Sequence, residues 1–159
     1  MEIRCCTDSD IGQCIEILAD TEIGKTYYPN KKIIKHLLEN ALKNDCFDVC
    51  VNQNNEVIGF VWYSLKGAFA FYPYLQIIAV SSSHRGEGTG RMLLEHYEQS
   101  ALKLLKTFST KSYLVTADFN DSAYDFYIRK GYRQIGTIAS LYKKGVDERL
   151  MFKDIRRES

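Results

Sequence analysis

Three alternating glycines, Gly86, Gly88 and Gly90, follow an apolar run from Leu75 to Val80 and lead into Arg91-Met92-Leu93-Leu94, the opening of a helical pattern. Glycines in such a turn let several backbone N–H groups converge on one concavity, and the helix N-terminus behind them favours negative charge. The chemistry this permits is the holding of a phosphate or pyrophosphate, with Arg85 and Arg91 adding positive charge at the edges. Two common phosphate-binding patterns do not fit. A P-loop needs a Lys followed by Ser or Thr directly after its last glycine, and here Gly90 is followed by Arg91 and Met92. A dinucleotide turn needs Gly-x-Gly-x-x-Gly; its last position is Arg91 counted from Gly86 and Leu93 counted from Gly88.

The pattern that does fit is Arg85-x-x-Gly88-x-Gly90 behind a strand ending Ile78-Ala79-Val80. It resembles the core motif of the GNAT superfamily of acetyl-CoA-dependent N-acetyltransferases. Downstream, Asn120-x-x-Ala123-x-x-Phe126-Tyr127-x-x-x-Gly131-Tyr132 is similar to that family's second motif. The resemblance implies acetyl-CoA as co-substrate and no metal. It implies that the strand backbone over Ile78, Ala79 and Val80 binds the pantetheine arm. It further implies that the backbone amides of Arg85, Gly86, Glu87, Gly88, Thr89, Gly90 and Arg91 hold the pyrophosphate, that Asn120 touches the arm, and that Tyr127 lies near the thioester sulfur. An amide-rich arm is a suitable ligand for an open strand edge, which can pair with it through main-chain hydrogen bonds.

Attack of an amine on a thioester requires a deprotonated amine, a polarised carbonyl and a stabilised thiolate. Tyr127 is the expected proton donor to sulfur. Ala123, Phe126 and Tyr127 also share one helical face, so a purely core role is the competing reading, and Tyr124 is the neighbouring alternative donor. No Asp, Glu or His occurs from Ala68 to Val80, where many family members carry a Glu; Tyr74 and Gln76 are the polar groups that could hold a proton-carrying water. Asp20 and Glu22 border the acceptor region but read as ordinary solvated acids, and no base is assigned. Tyr27, Tyr28 and Pro29, with the segment Ala139 to Asp147, are expected to frame the acceptor pocket. Mixed Tyr and Lys there favour a small, amino-acid-like amine. A protein N-terminal or lysine acetyltransferase and a non-catalytic acyl-CoA-binding module remain alternatives.

Positioning these residues takes a specific order of elements. Strand alternation and helical spacing predict strands over Glu2 to Cys6, Cys46 to Val51, Val57 to Ser64, Ala68 to Val80, Tyr113 to Ala117, Tyr132 to Ile138 and Arg149 to Ile155. Helices are predicted over Ser9 to Ala19, Ile33 to Asn44, Met92 to Leu105 and Ser122 to Lys130, with a loop over 20–30 and a turn at Lys66-Gly67. Pro73 cannot donate a ladder hydrogen bond, so a bulge or an edge is expected there. The order β-α-α-β-β-β-α-β-α-β-β predicts an α/β fold whose central mixed sheet is flanked by helices, the fold of the family resembled.

Composition sets the remaining bounds. A chain of 159 residues with 45% hydrophobic residues is expected to be a single domain, 1–159, able to bury a core without disulfide or metal. Lys and Arg number 21 against 20 Asp and Glu, which argues against nucleic acid or a membrane surface as partner. The partner expected is a small-molecule amine, with a homodimer left open. Neither a signal-peptide pattern nor a run of about 20 apolar residues occurs, and the five Cys form no Cys-x-x-Cys pair. Reduced thiols in a cytoplasmic protein are the expectation.

Overall fold

The computed structural model describes residues 1–159, and its seven strands form one sheet. In chain order the elements are β1 (Glu2–Cys5), α1 (Ile11–Ala19), α2 (Glu22–Tyr27), α3 (Lys31–Asn44), β2 (Cys46–Val51), β3 (Val57–Ala68), β4 (Tyr72–Val80), α4 (Thr89–Leu104), β5 (Ser109–Ala117), α5 (Asp121–Arg129), β6 (Arg133–Lys143) and β7 (Val146–Arg156). The sheet order is β1-β2-β3-β4-β5-β7-β6. All neighbours are antiparallel except β4 and β5. No helix is long and apolar enough to cross a membrane.

Each face of the sheet is covered by a different pair of amphipathic helices. Ile11, Cys14 and Leu18 of α1 and Ile34 and Leu38 of α3 pack on Phe60, Trp62, Ile77 and Ala79. On the other face, Leu93, Leu94 and Tyr97 of α4 and Tyr127 of α5 pack on Ile58, Val61, Leu114 and Met151. Apolar burial of this kind contributes about 1.5–3 kcal/mol per large side chain. The five thiols are free, and Cys6, Cys14 and Cys50 are buried as small apolar groups.

Two sequence expectations change. The stretch 20–30 is not all loop: Glu22–Tyr27 is a helix, capped by Thr21, whose hydroxyl oxygen accepts from Gly24 N–H at 3.0 Å. Gly24 hid it, since glycine disfavours helix interiors. The glycine is required because a Cβ there would sit 1.8 Å from the Leu18 carbonyl oxygen. The expected turn at Lys66-Gly67 is instead strand. The chain reverses at Phe69-Ala70, both left-handed at φ 56°, with Phe71 N–H donating to the Ala68 carbonyl at 3.1 Å. No glycine or asparagine announces that turn. Gly67 serves close packing, where a Cβ would lie 2.8 Å from Ser64 Cβ and 2.9 Å from Tyr74 Cβ.

Strand β4 is irregular in two places. Between Ser64↔Tyr74 and Ala68↔Tyr72 the register jumps around Pro73, the irregularity its missing N–H predicts. A second shift separates Trp62↔Ile77 from Tyr63↔Leu75 and leaves Gln76 as the extra residue of a bulge. Such bulges bend a strand and re-aim its side chains. At the other end of the sheet, β6 and β7 run longer than predicted. The segment Ala139 to Asp147 is the closing end of their hairpin, with its turn at Lys144-Gly145 and Gly145 at φ 84°.

Candidate active site

Tyr74 and Tyr113 form the register pair that joins β4 to β5. Beyond it the two parallel strands part, and a cleft of about 680 Å³ opens between β4, the glycine turn and α5. One wall is Ile77, Ile78, Ala79 and Val80; the floor is the turn; the other wall is Asn120, Ala123, Phe126 and Tyr127. The parting of the strands leaves the β4 edge free to pair with an extended ligand.

The turn has the backbone that its glycines permit. Gly86 and Gly88 adopt φ 82° and 86°, in the left-handed region, and a Cβ on either would meet nothing within 4 Å. Gly88 is the N-cap of α4, so its neighbours' N–H groups point out of the first helical turn into the cleft. Gly90 approaches Phe126 and Val80. Thr89 is buried, and its hydroxyl donates to Met1 Sδ at 3.4 Å, which leaves only its main chain for a ligand. Arg85 and Arg91 line the cleft together with Arg129 and Lys130 at the end of α5. An open cradle of amides with four cations at its rim fits a pyrophosphate, which the CoA portion of acetyl-CoA carries. The Glu87 side chain lines a separate depression with Met1, Asn52 and His84, and the role expected of this residue is one for its main-chain amide.

On α5 the two candidate tyrosines divide. Tyr124 lies beneath the Arg149 guanidinium, 4.4 Å from its ring, and does not line the cleft. Tyr127 does line it. Its ring packs edge-on to Tyr132 at 5.6 Å, its hydroxyl makes no hydrogen bond within the chain, and burial raises its pKa. Tyr127 therefore stays protonated at neutral pH. Asn120 caps α5, its side-chain oxygen accepting from Ala123 N–H at 3.3 Å, which leaves its amide N–H₂ available to the cleft.

Tyr27, Tyr28 and Tyr74 meet at the far end from the turn. Tyr27 packs edge-on against Tyr28, Phe119 and Tyr142, at 6.3, 6.0 and 5.7 Å between ring centres. The Tyr142 and Tyr74 hydroxyls lie 3.3 Å apart. Tyr27 also donates to Glu148 Oε2 at 2.5 Å. Burial raises the pKa of Tyr27, Tyr28, Tyr74 and Glu148 alike. Gln76, at the bulge, is exposed and joins neither this group nor the cleft lining.

The acetyltransferase (GNAT) family model matches residues 14–132. The chain belongs to the acetyltransferase (GNAT) family. Its fold is similar to that of a ribosomal-protein-alanine N-acetyltransferase from Brucella melitensis, with TM-score 0.74 and 20% identity over 96% of this chain and 99% of that one. It is similar to Ard1 from Thermoplasma volcanium, with TM-score 0.76 and 21% identity over 98% of each chain. An aminoglycoside 6'-N-acetyltransferase complexed with coenzyme A gives TM-score 0.72 and 18% identity over 100% of this chain and 99% of that one. No match was found among curated protein sequences.

In this GNAT acetyltransferase the motif residues line the cleft, whereas Tyr27, Tyr28, Tyr74 and Tyr142 cluster outside its lining, towards the start of β4. Sequence reading missed Glu148, Arg129 and Lys130. The two cations could have been found as the last-turn charges of a helix already identified. Glu148 gave no signal: it lies in an alternating strand among Asp147 and Arg149, and only the fold buries it.

Proposed function

We propose that the protein transfers the acetyl group of acetyl-CoA to the primary amine of a small metabolite, directly and with both substrates bound. The bound co-substrate would supply an activated acetyl thioester. The β4 edge over Ile78 to Val80 would receive the arm, and the amides from Gly86 to Arg91 would hold the pyrophosphate, with Arg85 and Arg91 matching its charge. Asn120 would contact the arm.

The observation that carries the reading is Tyr127: a protonated phenol, buried on the cleft wall, with no partner of its own. A group so placed can give its proton to a departing sulfur, and typical gains from such acid catalysis are about 10²–10⁴-fold. Loss of the proton from the attacking amine is assigned to water held at the acceptor end. The small size of the acceptor is supported by the aromatic closure there, where Tyr27, Tyr28, Tyr74 and Tyr142 crowd the approach.

The test is release of free thiol from acetyl-CoA with a panel of small primary amines and, separately, with peptides bearing free N-termini or lysines. Amine-dependent release with the small compounds is expected. Release with peptides alone would refute the acceptor class, and release with none would reduce the protein to a binding module.

A further inference from the structure

Three acidic side chains are buried in this protein, Asp10, Glu98 and Glu148, at 3%, 7% and 2% exposure. A carboxylate taken out of water is costly unless a cation and hydrogen bonds replace its hydration. Asp10 is held by both terminal nitrogens of Arg4, at 2.7 and 2.9 Å. Glu98 accepts from Lys153 Nζ at 3.0 Å on each oxygen and from the Tyr132 hydroxyl. Glu148 has no cation. The one group that donates to it is the Tyr27 hydroxyl. Arg149, next in the chain, points to the opposite face of the sheet, where it donates to the Ala117 carbonyl and Asp121 and covers the Tyr124 ring.

Glu148 is therefore the one buried acid without a counter-charge, and it lies among the tyrosines expected to frame the acceptor pocket. It pairs across the sheet with Ala117, at the end of β5 that has parted from β4. Tyr27, Tyr28 and Tyr74 lie near it, Phe119 and Tyr142 pack on the Tyr27 ring, and Asp118 adds a second negative charge nearby. Aromatic faces attract cations, and their bodies take up methylene groups. A metal ion would require further ligands, and no group of three or more His, Cys, Asp or Glu gathers here or elsewhere. An organic ammonium needs only one carboxylate and an aromatic enclosure.

We propose that Glu148 binds the ammonium group of the acceptor, and that Tyr27 caps Glu148 until an acceptor displaces it. The proposal rests on the amine-acetylating reading of the site. A phenol offers one donor and no charge, whereas an ammonium offers three donors and a full charge, so exchange at Glu148 favours the ammonium. Tyr27 is the last residue of the six-residue helix α2, so the cap belongs to a short element. The acceptor class this selects is an alkylammonium compound rather than a neutral or anionic amine derivative.

The probe is n-butylamine, titrated calorimetrically at neutral pH into the CoA-saturated protein, in the wild type, Glu148→Gln and Tyr27→Phe. Glu148→Gln should weaken butylamine binding about tenfold or more, because a charge-assisted contact is lost. Tyr27→Phe should tighten it about threefold by removing the competing hydroxyl. CoA affinity should be unchanged in both. Melting temperature at neutral pH should not fall in Glu148→Gln, since the substitution removes an uncompensated buried charge. Unchanged butylamine affinity in Glu148→Gln, weaker affinity in Tyr27→Phe, or no binding by either the wild type or Tyr27→Phe would each overturn the proposal. Thiol release is scored on the same samples. Glu148-dependent binding without release would count against the transferase reading and leave the ammonium site standing.

Discussion

Tyr74 and Tyr113 are the last partners on β4 and β5 before the two strands separate. Two residues beyond Tyr74, the Gln76 bulge bends β4 away, and the gap that follows is walled on one side by β4 and on the other by α5. Parallel strands that stayed paired would have filled this space with ladder hydrogen bonds. Because they part, one strand edge, one helix N-terminus and one buried phenol face the same cleft.

The glycine turn gives the first prediction. Gly88→Asp places a side chain and a negative charge where a Cβ meets nothing of the protein, at a backbone φ of 86°. The fold should survive with a cost of about 1 kcal/mol for a non-glycine residue in that conformation. CoA affinity, followed by calorimetric titration, should fall below detection. Near-normal affinity in a folded variant would remove the turn from the binding site.

Charge at the cleft rim gives a second. Binding of CoA should weaken with added salt more steeply than binding of a pantetheine fragment, because Arg85, Arg91, Arg129 and Lys130 line the cleft that is proposed to hold the pyrophosphate. Screening lengths shorten from about 10 Å to about 3 Å between 0.1 and 1 M salt. Arg85→Ala combined with Arg91→Ala should flatten the CoA slope. Equal slopes for CoA and pantetheine would make these cations bystanders.

Much of this arrangement is legible in the sequence, and what is not has physical reasons. The Arg85-x-x-Gly88-x-Gly90 turn and the Asn120 to Tyr132 segment are local patterns, so their residues specify their own geometry. The identity of α2 is not local: Gly24 disfavours a helix and is there for contact with Leu18. The reversal at Phe69-Ala70 uses left-handed residues that carry no turn signature. The choice between Tyr124 and Tyr127 depends on Arg149, which is remote in sequence and reaches α5 only after β5 and β7 pair. Glu148 is the extreme case, an acid flanked by β5 and β6 and met by Tyr27 of α2, all remote from it or fixed only by the fold.

A third prediction concerns acid stability. Arg4 and the Thr7 capping interactions hold the Asp10 carboxyl below its ordinary value of 3.8, at about 2. A pKa depressed on folding stabilises the protein above the unfolded value and stops doing so as pH falls through the folded one. Asp10→Asn should therefore cost about 2 kcal/mol at neutral pH. The gap in melting temperature between wild type and variant should close as pH falls from 3.8 towards 2. A gap that stays constant across that window would mean the ion pair is not the source of the stability.

Tyr127→Phe tests the central claim, that the phenol on the cleft wall serves acetyl transfer. The substitution removes only the hydroxyl, so packing on Phe126 and Tyr132 and the affinity for CoA should persist. If the proton is given to sulfur only as the C–S bond breaks, the loss falls on kcat and leaves KM for the amine little changed. Measured by amine-dependent thiol release at saturating acetyl-CoA, kcat should fall at least about tenfold. An unchanged kcat in a folded, CoA-binding variant would contradict the account and return Tyr127 to the core.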